Sequence, residues 1–591
     1  MGHDRAQDAR SPASLVLAEE TIRRYTEAGW WGTEALGSIV ARHGRDRPDG
    51  AAFVVVGPSE DRTLTWRQYD RAAWRLAAAL ADRGLERGDR VGVVLPDGAA
   101  VHVAFLAAER AGLVVSGIGA RAGQAEVGHL LAHTGARAVL TPETIRGEPA
   151  AHMVAAVRAR SGTGPAGATA QGLEHLVVPE WPAVTGPVAR SEGTGPDGRA
   201  EVLDAPSAEA CAAALAGRAL GPNDLWMLNS TSGTTGLPKC VMHTQNRWFY
   251  FHALAAEAGA LGPSDVFFGA VPAPFGFGLW TAHFTPTILG APTLVAARFD
   301  AGRTLEALAR HRVTVLACVS TQFIMVLNRE ELRSTDLSAL RVMFTGGEAV
   351  PFQRAAEFER TIGAKVLQFY GSNETGALSR TTVADSRDRR LRTAGQVIDE
   401  MEVRVFDEEG VEQTGDERTG IPACRGPATA IGYYADDAAN AALFTPDGWM
   451  LMGDVVTVDA AGYLRVVGRT SDIVIRGGKN ISAPAVEAEL AAHPQIALVA
   501  VVAMPDPVFG ERVCAYVVPR QGGEGSGSLD LAGVCAFLED RGVTREWFPE
   551  HLVVVDDLPR SSGAKIAKAE LRRDIVRRMA QARQYGAPSE V

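Results

Sequence analysis

Residues 230–239 read Ser-Thr-Ser-Gly-Thr-Thr-Gly-Leu-Pro-Lys and follow an apolar run, Leu225–Leu228. A buried strand that runs into such a loop leaves few folds open to the chain. Glycines let backbone N–H groups turn toward an anion, while the hydroxyls and Lys239 add donors and positive charge. A Ser/Gly linker has a similar composition, but linkers rarely follow an apolar strand or end in Pro-Lys. Gly-x4-Gly-Lys-Ser/Thr does not occur, so this is not a Walker A loop. It reads as a polyphosphate grip of another kind.

What surrounds the loop agrees with a strand-then-loop reading. Short β-rich runs (Ala52–Val56, Arg90–Leu95, Leu113–Gly117, Ala138–Leu140) alternate with segments of helical apolar spacing, Trp66–Arg83 and Ala100–Ala111. The alternation resumes at Leu225 and continues through Val266–Val271, Val313–Val319, Arg341–Phe344 and Lys365–Phe369. Such a pattern predicts a parallel sheet covered by helices. From about 455 the texture changes to short strands and few helices, as in a small α+β domain. The expected fold is therefore α/β: a large N-terminal domain of helix-covered, mainly parallel sheets over 1–470, and a small α+β C-terminal domain over 471–591. With 591 residues, the chain is too long for one core. The stretch 159–222, rich in Gly, Ala, Pro and Ser, is expected to be a surface insertion. Within it, Gly162-Thr-Gly-Pro-Ala-Gly167 matches the dinucleotide fingerprint only formally, since no strand precedes it.

Composition excludes several classes. A formal net charge of −11 argues against general binding to nucleic acid or anionic membranes. No run approaches the roughly 18 uncharged apolar residues of a membrane span. The N-terminus lacks a signal-peptide core. Cys211, Cys240, Cys318, Cys424, Cys514 and Cys535 are scattered without metal-type pairing. Reduced, buried thiols in a cytoplasmic protein are the expectation.

Further motifs follow the loop in order: Gly346-Gly-Glu348, Tyr370-Gly-Ser-Asn-Glu374, Gly448-Trp-Met-Leu-Met-Gly-Asp454, Gly468-Arg469 with Arg476-Gly-Gly-Lys-Asn480, and Pro559-Arg-Ser-Ser-Gly-Ala-Lys565. Taken singly, Tyr370 reads as a core aromatic, Asp454 and Arg469 as solvated charges, and Lys565 as a surface lysine. Their ordered joint occurrence over residues 30–575 resembles the adenylate-forming superfamily of acyl-CoA synthetases, peptide-synthetase adenylation domains and beetle luciferases. Ala28-Gly-Trp-Trp31 and Pro272-Ala-Pro-Phe-Gly-Phe-Gly278 most resemble cyclohexanecarboxylate- and aryl-acid-activating CoA ligases.

The resemblance implies ATP and Mg2+, with CoA as co-substrate, and a role for each matched residue. Thr231, Ser232, Gly233, Thr234, Thr235, Gly236 and Lys239 would hold the β- and γ-phosphates, with Thr234 and Glu374 at the magnesium ion. Gly346, Gly347 and Tyr370 would flank adenine, and Glu348, Gly371 and Asn373 would belong to the ATP/AMP-binding set. Asp454 and Arg469 would hold ribose, and Lys565 would bridge the carboxylate and the α-phosphate. Phe275, Phe277, Gln322, Thr345 and Ser372 are candidates for the acid pocket. Ser471 falls at the hinge, and Arg476, Gly477 and Gly478 at a pantetheine tunnel.

Cys240, Gln245, Asn373, Met452, Ala564 and Ser471 depart from the common pattern. None removes a charge needed for adenylation, and Ser471 with the glycine losses at Cys240 and Ala564 bears instead on domain rotation and the second half-reaction. The implied activity is adenylation of an aromatic or alicyclic acid followed by transfer to CoA. The alternatives are transfer to a carrier-protein thiol or an amine, including activation of nitrite for N–N bond formation with an arylamine. A regulator built on an inactive adenylating fold is disfavoured by the intact charged set.

Overall fold

The computed structural model describes residues 17–160, 172–181, 189–191, 201–203, 206–230, 238–347, 350–407, 409–469, 472–476, 479–520, 529–560 and 565–584. The chain divides into two compact units, residues 1–299, 373–376 and 426–450, and residues 300–372, 377–425 and 451–591. The expected 470/471 boundary falls on Thr470 and Ser471, outside the described residues, as does the 162–167 glycine run.

In the first unit, one sheet runs in the order Glu201–Leu203, Ala189–Ser191, Glu174–Val177, Ala138–Thr141, Arg90–Val93, Val114–Gly117, Met227–Ser230, Cys240–His243. Its five central strands are mutually parallel. The helices between them are those that the periodicity predicts. Trp66–Asp82 starts at a capping box in which Thr65 and Gln68 satisfy each other's exposed amides. Ala99–Ala111 is mainly apolar and is buried along its whole length, His102, Glu109 and Arg110 included. It stops at Gly112, whose φ of 75° only glycine adopts without strain. A second strand set in this unit orders Arg62–Thr65, Ala51–Val55, Thr293–Val295 and Phe267–Gly269.

The stretch 159–222 departs from the expectation of an insertion. Glu174–Val177 is a parallel strand beside Ala138–Thr141, with His175 and Leu176 buried. Leu173 joins the apolar cluster against Val139, Val154 and Val157. The Gly/Ala/Pro bias of the flanking sequence masks a short apolar run that is long enough for one strand.

The second unit carries the parallel strands Val315–Ala317, Val342–Gly346 and Lys365–Ser372. It also holds an antiparallel set, Arg404–Phe406, Arg418–Cys424, Asp454–Val458 and Leu464–Arg469. Its C-terminal portion is α+β. Ile473–Arg476, Lys479–Ser482, Ile496–Asp506, Gly510–Pro519 and His551–Val554 form one sheet. The helices Ala483–Leu490 and Leu531–Asp540 cover it through Val486, Leu490, Val534 and Leu538. No described helix is long and apolar enough to cross a membrane.

Candidate active site

The phosphate loop is described at its two ends. Ser230 pairs with Cys240 and Asn229 with Val241 in an antiparallel ladder, so the strands on either side close the loop at its base. Thr231, Ser232, Gly233, Thr234, Thr235 and Gly236 lie outside the described residues. At the far end the Lys239 ammonium sits over the Tyr433 ring, 4.7 Å from its centroid. The Tyr433 hydroxyl donates to Glu374 Oε1 at 2.7 Å. Burial first, and then the Glu374 charge, push that hydroxyl up, so it stays a donor. Asn440 fixes the tyrosine backbone from both sides, at 2.7 and 2.8 Å. A lysine, a phenol and a carboxylate are thereby set in sequence at the loop's exit.

Nothing in the sequence singles out Tyr433, whose partner is 59 residues away. Loss of its hydroxyl removes one charge-assisted hydrogen bond from Glu374. Tyr433→Phe is expected to raise the KM for Mg·ATP about tenfold with little change in acid KM. Pyrophosphate exchange at varied ATP checks this, and an unchanged ATP dependence would separate Tyr433 from the nucleotide.

Glu374 is the acidic group expected at magnesium. Among the described residues, no cluster of three or more His, Cys, Asp or Glu could hold a metal by itself. Mg2+ usually takes one or two carboxylates and fills the rest of its shell with substrate phosphates and water. A single hard carboxylate oxygen donor beside a phosphate loop fits that habit.

Behind the loop lies a buried polar chain. The Arg247 guanidinium donates to Ala428 O and Asn373 O, each at 2.9 Å, and to His243 Nδ1 at 2.5 Å. Burial, then Arg247, hold His243 well below the usual imidazole range, so its ring is neutral. With Nδ1 accepting, its Nε2–H donates to Asn229 Oδ1 at 3.0 Å. Asn229 Nδ2 donates to Pro274 O at 2.9 Å and to Asn373 Oδ1 at 3.2 Å. Asn373 Nδ2 returns a bond to Asn229 Oδ1. Asn373, expected among the nucleotide-binding residues, directs its amide to Asn229 in the interior. Gln245 likewise accepts from Leu36 N–H at 2.8 Å and is fully buried. That departure from the common pattern serves packing against the N-terminal segment.

In the second unit, Gly346 ends its strand where a Cβ would stand 2.5 Å from Phe369 O. Gly347 follows with φ +78°, and a Cβ there would meet Lys565 Nζ at 2.8 Å and Cε at 3.1 Å. Only glycine leaves room for the lysine at this point. Tyr370 O–H donates to Asp454 Oδ2 at 2.9 Å, both residues being buried. Asp454 and Arg469 face each other in the antiparallel ladder. Gly371 lies in the strand Lys365–Ser372. Glu348, Ser471, Gly477 and Gly478 lie outside the described residues, as does the Arg469 side chain.

The acid-pocket candidates differ in character. Phe275 and Phe277 are half-buried, unlike the fully buried Leu279 and Phe284 that follow them. Thr345 is fully buried, and its hydroxyl has no hydrogen-bond partner among the described residues. Gln322 is also buried, but its Oε1 accepts from Val319 N–H at 3.0 Å and so caps its own helix. Ser372 closes the Lys365–Ser372 strand, immediately before Asn373-Glu374.

Arg476, expected at a pantetheine tunnel, donates to Glu550 at 2.7 Å and stands 5.4 Å from the Phe509 centroid. An ion cluster forms around Asp472. Lys568 Nζ lies 2.8 Å from Glu487 and 3.7 Å from Asp472, and Arg572 pairs with Asp472. Glu487 also accepts from Val501 N–H at 2.6 Å.

Asp97, at the end of the Arg90–Val93 strand, is a buried carboxyl that the sequence does not flag. Burial pushes it up to about 8, against the pull of hydrogen bonds from Ala273 and Gly98 N–H. Because folding raises this acid's pKa, its contribution is full below about pH 4 and is lost as pH climbs through 8. The wild type is expected to lose about 1.4 kcal/mol per pH unit from this group across that window. Asp97→Asn should lack that slope. Denaturant unfolding at pH 5 and 8 checks it, and equal slopes would overturn it.

The chain matches two family profiles, the AMP-binding enzyme over residues 40–434 and the AMP-binding enzyme C-terminal domain over 485–565. A salicylyl-CoA synthase / salicylate adenylyltransferase from Streptomyces sp is 33% identical over 568 residues, 95% of this chain and 97% of the relative. A salicyl-AMP ligase / salicyl-S-ArCP synthetase from Mycobacterium tuberculosis is 30% identical over 590 residues, 97% of each chain. Among solved structures, ATP-bound MatB from Rhodopseudomonas palustris superposes with a TM-score of 0.73 at 26% identity, covering 91% of this chain and 98% of that one.

Proposed function

The chain belongs to the AMP-binding enzymes and is an AMP-forming acid–thiol ligase, and we propose that its substrate is a small aromatic or alicyclic carboxylic acid and its acceptor CoA. A carboxylate oxygen attacks the α-phosphorus of ATP. The bond to the bridging oxygen breaks, and pyrophosphate leaves from acyl-AMP. The CoA sulfur then attacks the acyl carbon, its proton is released, and AMP departs with the carboxylate oxygen.

The observation that carries this reading is Lys565 seated on Gly347 in a space that any side chain there would fill. A cation so placed can neutralise the charge that builds up as carboxylate and α-phosphate meet. Thr231 through Gly236 and Lys239 take the β- and γ-phosphates. Glu374 and Thr234 would hold magnesium, which would supply charge neutralisation on those phosphates. Gly346, Gly347 and Tyr370 receive adenine, and Glu348, Gly371 and Asn373 belong to the same nucleotide-binding set. Asp454 keeps one oxygen on Tyr370 and turns to ribose with Arg469. Phe275, Phe277, Gln322, Thr345 and Ser372 are the residues this reading assigns to the acid. After acyl-AMP forms, rotation about Ser471 withdraws Lys565 and presents Arg476, Gly477 and Gly478 to the pantetheine arm.

A carrier-protein thiol is the second acceptor to test, because a relative alike over nearly its whole length is named for a carrier-bound product. Pyrophosphate release across a panel of acids identifies the substrate. Adenylation mixtures are then offered CoA, a carrier protein, or nitrite with an arylamine, and products are read by mass. A CoA thioester is expected. Pyrophosphate released without CoA consumption for any acid would overturn the acceptor.

A further inference from the structure

The segment Pro272-Ala-Pro-Phe-Gly-Phe-Gly278 has an unusual backbone problem. Two prolines remove two N–H donors, so no strand ladder can hold the segment in register. Two of its polar groups are instead met by side chains from neighbouring strand ends. Asp97 accepts from Ala273 N–H, and Asn229 donates to Pro274 O at 2.9 Å. Within the segment, Phe275 N–H closes a turn onto Pro272 O at 3.3 Å.

Close approaches complete the enclosure. A Cβ at Gly276 would lie 2.8 Å from Asn373 Oδ1, and one at Gly278 would lie 2.2 Å from Pro272 O. A Cβ at Gly117 would stand 3.2 Å from Pro274 Cβ. Asp97 follows the strand Arg90–Val93, Gly117 ends the strand beside it, and Asn229 lies on the next. Ligands of open parallel sheets bind outside these carboxyl ends. Beyond Gly278 the chain enters a buried π-helix, Leu279–Phe284, a rare form that is frequent at functional sites. His243 holds Asn229 from behind, and Arg247 holds both His243 and the Asn373 carbonyl.

We propose that Asp97, Asn229 and Asn373 form a clamp that fixes the course of 272–278, and through Phe275 and Phe277 decides which acids are accepted. They are positioning residues, and their effect on acid choice rests on the placing of those two phenylalanines at the acid site. The Asn373 amide both donates to and accepts from Asn229, which a side chain without an amide could not do. Different side chains here would set the segment differently while the nucleotide groups stayed unchanged.

Hydrogen exchange read by mass spectrometry on the full chain, without substrates, tests the clamp, and acid-dependent pyrophosphate exchange tests its consequence. Asp97→Leu and Asn229→Leu are each expected to speed exchange in 272–278 about tenfold while Ala99–Ala111 stays protected. Asp97→Asn keeps an acceptor oxygen for Ala273 and should retain protection. The same leucine variants should raise acid KM about tenfold and reorder the acid panel, with ATP KM within about twofold. Unchanged exchange in 272–278 overturns the clamp. Faster exchange with an unchanged acid ranking overturns its role in acid choice. A wild type that activates no acid overturns the proposed function together with that role, and the exchange measurement still decides the clamp. Should Asp97→Leu lose protection throughout, Asn373→Thr, which alters one end of the clamp, decides in its place.

Discussion

Lys565→Ala is expected to lower acid-dependent pyrophosphate exchange by about 10²–10³-fold, the usual size of losing one preorganised charge at a transition state. The lysine reaches its position because Gly347 adopts φ +78° and carries no Cβ. The loss should therefore fall on kcat, since a group aimed at charge that develops in the transition state does little for ground-state binding. Gly347→Ala should produce part of the same defect from the other side, by displacing the Nζ rather than deleting it. Thioester formation from supplied acyl-AMP and CoA separates the two half-reactions and is expected to survive Lys565→Ala. Wild-type exchange in the alanine variant would remove Lys565 from the adenylation step.

Glu374→Gln carries the second large effect, a drop of about 10²-fold in kcat/KM for Mg·ATP. The amide keeps the size of the carboxyl and can still accept from the Tyr433 hydroxyl, which stands 2.7 Å from Oε1. What it removes is the negative charge. The deficit should shrink when magnesium is raised, because a weaker ligand set is filled by mass action. A deficit insensitive to magnesium would assign Glu374 to holding Tyr433 and Lys239 alone.

Much of the sheet framework is legible in the sequence because local periodicity and loop chemistry agree. The apolar run before Ser230, the helix Trp66–Asp82 and the mainly apolar helix Ala99–Ala111 each follow from neighbours within a few turns. The strand Glu174–Val177 escapes that reasoning because four residues sit inside a Gly/Ala/Pro-rich tract whose composition points the other way. The interior of the site is illegible for a different reason. Asn229 meets Asn373 across 144 residues, and Arg247 meets the Asn373 carbonyl across 126. Such pairings depend on how strand ends converge, which no local pattern encodes. Motif resemblance points to Asn373 and Gln245 as departures, yet only the side-chain directions assign both to the interior. Asp97 is hidden more simply, since a carboxylate after a strand usually faces water.

The ion cluster on Asp472 has a mechanical consequence. Asp472 is the residue after Ser471, and Lys568 and Arg572, which grip it, begin the helix that follows the Lys565 loop. Glu487 braces Lys568 from the neighbouring helix. Two cations at the start of that helix thus tie it to the residue beside the proposed hinge. Were the chain to turn about 471 as proposed, these ion pairs would couple the movement of Asp472 to the helix that follows Lys565.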